Sequence, residues 1–431
     1  MTLIAGLVLF ISFLLMLALS IPIAISIILS SLLTMFLILP FDVTIITAAQ
    51  RMVTGIDNFT MLSIPLFVLA GILMNNGGIA FRLVNFAKVL VGKMPGSLAH
   101  TNIVGNMLFG SISGSSVAAA AAMGRIMGPL QTKQGYRKDY SAAANIASAP
   151  AGLLIPPSSL LIVYSLVSGG TSIAALFMAG YIPGILWGIT AMVVAYILAK
   201  KNNYPVSPKI GWKDRIFLIL DAIPSLLLII IVIGGIVGGI FTATEGAAIA
   251  VLYAFVLSLI YKSFKIADIP AIFKETVEIT GMILLLITAS ALFSLVMSFT
   301  GLPEAISNGI LSLTENPILL LLLMNLILLF IGTFMDITPA VLIFTPIFLP
   351  IATSIGLDPV HFGIVIAFNL CIGNITPPVG SALFVGASVA NVKIESVIRT
   401  LVPYFIALII MLLAITFIPQ LSMFLPNLFG L

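Results

Sequence analysis

Two polar stretches rich in glycine and proline interrupt the hydrophobic sequence, and each has a second copy later in the chain. The first pair is Gly110–Ser116 and Gly152–Ser158, and the second pair is Gly332–Thr338 and Gly373–Gly380. The Gly-x-x-x-Pro-Pro pattern in the second member recurs 221 residues later (373 − 152). Interrupted helices that recur at a fixed interval are typical of secondary transporters, whose binding site lies between two repeats. The pattern therefore favours solute transport.

The interruptions have a chemical consequence inside a bilayer. An unpaired backbone N–H or C=O in hydrocarbon is costly, so an unwound segment needs a partner. A dehydrated Na⁺ is such a partner, because backbone carbonyls can coordinate it without a full negative charge. Residues 156–157 and 377–378 enforce the breaks, since proline donates no N–H and clashes with the preceding turn. Two equivalent breaks, with hydroxyls at Ser113, Ser115 and Thr376, predict at least two cation sites. The simpler alternative is that the proline and glycine residues only kink transmembrane helices.

Asp336 is a carboxylate within otherwise apolar sequence, at the tip of a predicted hairpin. A charge at membrane depth is costly and is functional by default, as an ion ligand, a proton carrier or a hydrogen-bond acceptor for substrate. The alternative role is a helix cap. Arg125 is a candidate substrate partner, but such an arginine more often extends its charge to the membrane interface, which we favour here.

The composition excludes a soluble globular protein. Of the 431 residues, 61% are hydrophobic and 7% are charged, and the mean hydropathy is +1.27. There are too few polar residues to cover a water-facing surface. Apolar runs of bilayer length follow one another closely, the first being interpreted as a span rather than a cleaved signal peptide. Cys371 is the sole cysteine, so an internal disulfide and a cysteine-based metal cluster are excluded.

The distribution of charge orients two predicted re-entrant hairpins. Cytoplasmic loops hold an excess of lysine and arginine. The basic residues flanking segment 98–130 are Arg82, Lys88, Lys93, Lys133, Arg137 and Lys138. The residues flanking segment 317–351 are Glu304, Glu315, Asp358 and His361, with no lysine or arginine nearby. We predict that the first hairpin enters from the cytoplasm and the second from outside, as an inverted repeat requires.

The predicted fold class is an all-α polytopic membrane protein with an inverted-topology repeat, two re-entrant hairpins and two broken helices. Residues 1–200 form the first repeat, 201–215 a cytoplasmic linker and 216–431 the second repeat. The broken spans are 142–166 and 362–389. The other predicted spans are Leu3–Leu19, Ile21–Leu39, Met61–Met74, Ile173–Ala199, Ile216–Ile240, Thr244–Tyr261, Val277–Phe299 and Leu401–Leu425.

Three segments leave alternatives open. Leu3–Leu39 is predicted as two short helices by symmetry with the second half, and the alternative is one kinked helix. Phe41–Phe59 and Ser263–Glu278 are amphipathic and are predicted to lie along the membrane interface. Their alternative is an ordinary polar loop.

Two other classes of membrane protein fit less well. An intramembrane enzyme needs catalytic residues, but the sequence has no His-Glu-x-x-His zinc motif, and Ser113 has no evident general base. A channel can use re-entrant loops but usually leaves a continuous pore, whereas inverted breaks suit alternating access. The sequence therefore favours a transporter over an enzyme or a channel.

Five motifs together resemble the large membrane subunit of tripartite ATP-independent periplasmic (TRAP) transporters. They are GSISGSSVAAAAAMG at 110–124, IPPS at 155–158, TATEG at 242–246, GTFMDITP at 332–339 and NITPPVG at 374–380. The resemblance covers nearly the whole chain. It implies a bacterial inner-membrane protein with an elevator mechanism driven by a sodium gradient. Hairpins and broken spans would move as one body against a scaffold of the other spans.

The resemblance also implies partners. A small four-helix membrane subunit, expected here as a separate chain, and a soluble periplasmic substrate-binding protein would complete the transporter. The chain would contact the lipid bilayer and no nucleic acid. A rival interpretation is a conventional ion-coupled carboxylate transporter that needs no binding protein.

The resemblance further implies site residues. The first sodium site would use Ser113, Ser115 and the backbone carbonyls of Gly152, Ile155 and Pro157. The second would use Gly332, Thr333, Gly373, Thr376 and Pro378. The substrate would touch Ser116, Ser158 and Asp336.

The family transports organic acids, chiefly C4-dicarboxylates and sialic acid. The interruptions contain hydroxyls, amides and one acid but no lysine or arginine. Because a dicarboxylate would prefer a cationic pocket, we favour a hydroxyl-rich monocarboxylate such as sialic acid. Bound Na⁺ could supply the missing positive charge, which keeps the dicarboxylate as the alternative.

Overall fold

The described part of the chain is helical and contains no β-strand. The computed structural model describes residues 2–431 except residues 20, 93, 207–210, 264, 303, 304, 306–308, 310–313 and 315. Lys93, Glu304 and Glu315, which entered the orientation argument, and part of the predicted linker 201–215 lie outside the described residues.

The helices follow the predicted order of spans, hairpins and breaks. They are α1 Thr2–Ala18, α2 Ile23–Ile38, α3 Phe41–Thr54, α4 Ser63–Asn76, α5 Ile79–Val91, α6 Ser97–Ser113, α7 Ser116–Lys133, α8 Lys138–Ser148, α9 Ala151–Leu154, α10 Ser159–Val167, α11 Ile173–Lys201, α12 Trp212–Val237, α13 Ala243–Ile260, α14 Ile269–Thr300, α15 Pro317–Phe334, α16 Ile337–Ser354, α17 Pro359–Asn374, α18 Ser381–Ala390, α19 Ile394–Phe417 and α20 Gln420–Phe429.

The lengths and compositions of these helices suit a bilayer. Eight helices of the described chain are long and apolar enough to cross a membrane, and a ninth if the bent pair 138–154 and 159–167 counts as one span. Only 28% of the apolar window of α12 is buried, against 67% for α16. The outer helices thus present apolar surface that water would not tolerate, while the hairpin arm α16 lies inside the protein.

The first two helices are separate, as predicted for Leu3–Leu39. α1 ends at Ala18, and α2 begins at Ile23 with Pro22 as its N-cap. Proline cannot donate the backbone hydrogen bond that would continue a helix through this position. α13 begins at Ala243, next to the predicted start at Thr244. Thr242 and Glu245 form a reciprocal capping box that fixes this helix start.

The last predicted span, Leu401–Leu425, is wrong as a single helix. The chain forms α19 and then the short helix α20, with Ile418 and Pro419 between them. Pro419 has no N–H to continue α19, so the helix stops and a new one begins.

The interfacial segment predicted for Ser263–Glu278 is wrong over most of its length. α14 runs without interruption from Ile269 to Thr300 and so joins this segment to the next span. No glycine or proline lies between positions 271 and 280, and these residues continue a helix readily. The charged first turns of α14 are therefore an exposed extension of the span.

Two other segments differ in extent from their predictions. Within the predicted segment Phe41–Phe59, the helix covers only Phe41–Thr54. Phe59 begins a separate 3₁₀ turn, Phe59–Leu62. The basic stretch around Arg82 and Lys88, interpreted as a loop, forms the helix α5. Arg82 is fixed there, because its Nε donates to Asp221 Oδ1 at 2.9 Å and its guanidinium lies 3.4 Å from the centre of the Tyr261 ring.

Both hairpins turn within very few residues. In the first, α6 ends at Gly114 in the left-handed conformation (φ 61°), and Ser115 begins α7 by accepting a hydrogen bond from Ala118 N at 3.2 Å. In the second, Met335 and Asp336 alone separate α15 from α16. Each turn places a helix C-terminus beside a helix N-terminus.

Each hairpin crosses a broken helix at a pair of glycines. Gly110 of α6 lies against Gly152 of α9, and Gly332 of α15 lies against Gly373 of α17. A Cβ atom at Gly152 or at Gly373 would collide with the backbone of the opposite glycine. Glycine is therefore required at both crossings because the two backbones touch.

We predict that Gly152→Ala destabilises the protein by about 1–3 kcal/mol, because the added methyl group overpacks a backbone contact. Gly281→Ala is the matched control, since a Cβ there meets nothing within 4 Å. The control should be neutral or slightly stabilising, as alanine is the better helix former. Thermal unfolding of the purified chain in detergent micelles measures both, and equal melting temperatures would contradict the prediction.

Candidate functional site

The tips of both hairpins meet at the second broken helix through one asparagine side chain. Ser116 Oγ, at the start of α7, donates to Asn374 Oδ1 at 2.8 Å. Asn374 Nδ2 donates to Asp336 Oδ1 at 3.1 Å and to Ser381 Oγ at 2.6 Å. Ser381 Oγ in turn donates to Asp336 Oδ1 at 3.1 Å. We call Ser116, Asp336, Asn374 and Ser381 the Asn374 cluster.

Six helix ends surround the Asn374 cluster. The N-termini of α7, α16 and α18 begin at or next to its members, and each carries partial positive charge and free N–H groups. The C-termini of α6, α15 and α17 end at or near the same place and carry partial negative charge. One location can therefore favour a carboxylate at the N-termini and a cation at the C-terminal carbonyls.

The cluster spans the boundary between the protein interior and its surface. Asn374 is 1% exposed and Ser116 is 4% exposed, whereas Asp336 is exposed. A solute can reach the carboxylate of Asp336 while the amide of Asn374 holds that carboxylate in place from behind.

The carboxylate of Asp336 does not act as the helix cap that the sequence left as an alternative. Asp336 occupies the N-cap position of α16, but its side chain makes no capping hydrogen bond. It accepts from Asn374 and Ser381 instead. The carboxylate is thus oriented by the second broken helix.

The residues predicted for the first sodium site lie where the first hairpin tip meets the first break. Ser159 Oγ donates to Gly114 O at 3.2 Å and joins the two segments. Ser113 Oγ lies 3.4 Å from Ser115 O, and the hydroxyl of Ser115 serves as the cap of α7.

The backbone carbonyls of Ile155 and Pro157, also predicted for this site, lie in the break between α9 and α10. They accept no hydrogen bond from the described residues. Because a carbonyl oxygen without a partner is a ready cation ligand, the set fits a small monovalent cation.

The residues predicted for the second sodium site lie where the second hairpin tip meets the second break. Val379 N donates to Thr333 O at 3.0 Å and fixes the second hairpin tip to the second break. Thr376 Oγ1 donates to Ile372 O at 2.7 Å, and Thr376 O accepts from Gly380 N at 3.2 Å. A carbonyl oxygen has two lone pairs, so Thr333 and Thr376 keep a position for a cation. Pro378 lies in the same break, and Gly332 and Gly373 form its crossing.

Neutral oxygens dominate both predicted cation sites. In the described part of the chain, no group of three His, Cys, Asp or Glu side chains is placed to hold a metal ion. Such an arrangement suits a weakly bound, readily released ion better than a resident metal.

Ser158, predicted to touch the substrate, is not part of the Asn374 cluster. Its side chain is fully buried, donates to Leu153 O and accepts from Leu161 N at 3.4 Å as the cap of α10. The predictions missed Asn374 and Ser381, which complete the cluster. An amide and a hydroxyl on either side of a Pro-Pro break in apolar sequence were the available signal.

Comparison with known proteins identifies the family. Residues 10–421 match the family described as the tripartite ATP-independent periplasmic transporter, DctM component. The chain belongs to this family. The protein is therefore a multi-pass protein of the inner membrane and a transport permease, not an enzyme.

Several relatives match along almost their whole length. The chain is 54% identical to the uncharacterized protein YgiK of Salmonella typhimurium, over 98% of this chain and 97% of YgiK. It is 41% identical to the sialic acid TRAP transporter large permease protein SiaM of Vibrio cholerae, over 91% of this chain and 92% of SiaM. It is 37% identical to the C4-dicarboxylate TRAP transporter large permease protein DctM of Pseudomonas aeruginosa, over 94% of each chain.

A solved transporter shares the fold. The YdaH transporter of Alcanivorax borkumensis superposes with a TM-score of 0.62 over 86% of each chain, at 14% sequence identity. At this identity the likeness concerns the fold alone, and it agrees with the predicted fold class of an all-helical polytopic transporter.

We predict that Ser116 and Asn374 are energetically coupled by about 0.6 kcal/mol, the average for hydrogen bonds between membrane helices. A double-mutant cycle with Ser116→Ala and Asn374→Ala, followed by reversible unfolding in mixed micelles, measures this coupling. Ser111→Ala is the control, because Ser111 Oγ donates to Leu108 O within α6. Additive effects of Ser116→Ala and Asn374→Ala would contradict the hydrogen bond.

Proposed function

We propose that this permease imports an organic acid together with Na⁺, with sialic acid favoured over C4-dicarboxylates. The observation that carries this proposal is the Asn374 cluster, in which hydroxyl, amide and carboxylate groups from both hairpins and one break converge. A solute bound there would contact both hairpin tips and the second break. Its binding would therefore be linked to the arrangement of those elements.

The chemistry of the cluster favours a polyhydroxylated acid. Asp336 can accept hydrogen bonds from substrate hydroxyls but would repel a second substrate carboxylate. The helix N-termini of α7, α16 and α18 can receive a single carboxylate. A monocarboxylate with several hydroxyls matches this set, and sialic acid has that chemistry. The 41% identity to the sialic acid permease SiaM supports this choice, and the 37% identity to the C4-dicarboxylate permease DctM keeps the alternative open.

Sodium coupling rests on the breaks beside the cluster. Ile155 and Pro157 lie in the break that Ser159 joins to the first hairpin tip. Thr333 O accepts from Val379 N and so joins the second tip to the break that contains Thr376. A bound Na⁺ would order both tips and so complete the substrate site. Obligatory coupling follows, because the substrate would find its contacts only when the cations are present.

We extend the proposed moving body to two further helices, α11 and α19. Trp187 Nε1 of α11 donates to Ala147 O of α8 at 2.8 Å, and the Trp187 ring lies 4.7 Å from the ring of Phe368 in α17. Thr416 of α19 accepts a hydrogen bond from Asn325 of α15 at 3.0 Å. These directional contacts favour movement of α11 and α19 with the hairpins and breaks, in an elevator mechanism, while the other spans form the scaffold.

We propose that this permease works with a small membrane subunit and a periplasmic substrate-binding protein. The family is described as tripartite, and SiaM and DctM are named as large permease proteins. Exposed apolar residues cover α1, α2 and α12, and a membrane subunit or lipid can occupy that surface. The rival is a conventional carrier that needs no binding protein.

The first test is uptake of labelled sialic acid into proteoliposomes that contain the permease and its small subunit, with the cognate binding protein outside. We expect uptake with an inward Na⁺ gradient and none with an equal K⁺ gradient, and we expect it only when the binding protein is present. Uptake without the binding protein would favour the conventional carrier. Uptake of succinate instead of sialic acid would transfer the proposal to C4-dicarboxylates.

The second test is Asp336→Ala. We expect uptake to fall by at least about tenfold, because hydrogen bonds to charged groups contribute about 1.5–3 kcal/mol. Membrane insertion should be unchanged. Asp57→Ala is the control, since Asp57 is an exposed carboxylate in a loop and its removal changes the net charge equally. Normal uptake by Asp336→Ala would remove Asp336 from the mechanism.

A further inference from the structure

A basic cavity lies at the ends of α7 and α18 that are remote from the Asn374 cluster. Its volume is about 650 Å³, and its lining includes the side chains of Arg125, Lys133 and Lys138. Arg125, whose charge the sequence predicts to extend toward the membrane interface, is exposed and lies on the wall of this cavity. Thr132, Ser141 and Asn391 also line it.

The three cations have no acidic partner among the described residues. The nearest carboxylate in the sequence is Asp139, which is already paired with Arg137 and accepts a further hydrogen bond from Thr400 Oγ1 at 3.3 Å. The positive charge of the cavity is therefore not neutralised within this part of the protein. A cavity lined by one sign of charge concentrates counter-ions.

A second observation points to a missing ligand. Ser141 lines the cavity and is only 5% exposed, yet its hydroxyl has no hydrogen-bond partner. Buried hydroxyls are nearly always satisfied, and one that is not calls for a ligand or a water. Arginine, lysine and a free hydroxyl together form the donor set that recognises a carboxylate or a phosphate.

The orientation rule for membrane proteins accounts for Lys133 and Lys138 but not for Arg125. It requires basic residues in cytoplasmic loops, whereas Arg125 lies in the middle of the helix α7. In α16, which has the same length as α7, the corresponding positions hold Pro346 and Ser354. The basic cavity thus belongs to one hairpin alone.

The cavity and the Asn374 cluster are joined by two helices that run side by side. α7 and α18 begin at Ser116 and Ser381 in the cluster, and a Cβ atom placed on Gly124 would lie 2.9 Å from Val389 Cγ1. Gly124 and Val389 stand at the same distance from their helix starts, so the helices are parallel and in register. Arg125 lies about 14 Å along α7 from Ser116, at about 1.5 Å per residue.

We propose that the basic cavity is a second binding site, which takes the carboxylate of the transported acid after it leaves the Asn374 cluster. This proposal rests on the proposed function and on the cytoplasmic orientation of the residues after α7. Arg125 and Lys138 attract the carboxylate, and the hydroxyl of Ser141 donates to it. The site draws the acid away from Asp336 and so favours onward movement over return to the Asn374 cluster.

The test measures how fast charged reagents label a single introduced cysteine, which is possible because the native sequence has only one cysteine to replace. In full-length protein with Cys371→Ala, we would place one cysteine at Thr132 in the cavity or, as the matched control, at Thr353. Both threonines are exposed, are the penultimate residues of α7 and α16, and bond to the carbonyl four residues earlier. Labelling rates with an anionic and a cationic methanethiosulfonate reagent are then compared in phosphatidylcholine nanodiscs.

We expect the anionic-to-cationic rate ratio to be about tenfold higher for Thr132→Cys than for Thr353→Cys. Adding Arg125→Gln, or separately Lys138→Gln, should lower the ratio at position 132 and not at 353. N-acetylneuraminate or succinate should slow anionic labelling at position 132, and the neutral sugar N-acetylmannosamine should not.

Equal ratios at the two positions would overturn the site. Slowing by phosphatidylglycerol in the nanodisc, without slowing by either soluble acid, would assign the cavity to a lipid headgroup and would overturn the proposal. The labelling rates do not depend on transport. A failed sodium-driven uptake assay therefore contradicts the proposed function separately from this site.

Discussion

The glycine crossings are the contacts on which the rest of the site depends. At Gly110 and Gly152, and again at Gly332 and Gly373, the backbone of a hairpin touches the backbone of a broken helix. No side chain can fill such a contact, so its strength comes from close packing of small residues, as in other helix pairs in membranes. The close approach brings helix ends together at the tips. Their unpaired N–H and C=O groups then become available to solutes and ions.

The Asn374 amide joins the crowded helix ends into one hydrogen-bonded cluster. It accepts from Ser116 of the first hairpin and donates toward Asp336 of the second, so one buried side chain holds both tips. An amide can do this because it carries a donor and an acceptor at fixed separation. A carboxylate at this position could not donate to Asp336, and a hydroxyl, with a single O–H, could not donate to both Asp336 and Ser381. The relative placement of the two hairpin tips is thereby linked through one residue.

The sequence predicted the breaks well because their cause is local. Pro156–Pro157 and Pro377–Pro378 cannot continue a helix whatever surrounds them, and the same argument separates α1 from α2. The continuity of α14 was missed because a charged helix turn outside the membrane and an interfacial helix have the same composition. Asn374 and Ser381 were missed for a different reason. Their partners lie on other helices, and a hydrogen bond across 258 residues leaves no periodic signal.

The second repeat has polar side chains at two positions where the first repeat has apolar ones. At the interval that relates Gly152 to Gly373, the counterparts of Asn374 and Ser381 are Leu153 and Leu160. Both halves thus retain the glycine crossing and the Pro-Pro break, which expose carbonyls suited to cations. The first break has the hydroxyls of Ser158 and Ser159, but of the two breaks only the second has an amide, that of Asn374. A symmetric site would present two equal surfaces to a solute that is itself asymmetric. In the Asn374 cluster, Asp336, Asn374 and Ser381 come from the second half and only Ser116 comes from the first, so the two hairpins present unequal polar surfaces.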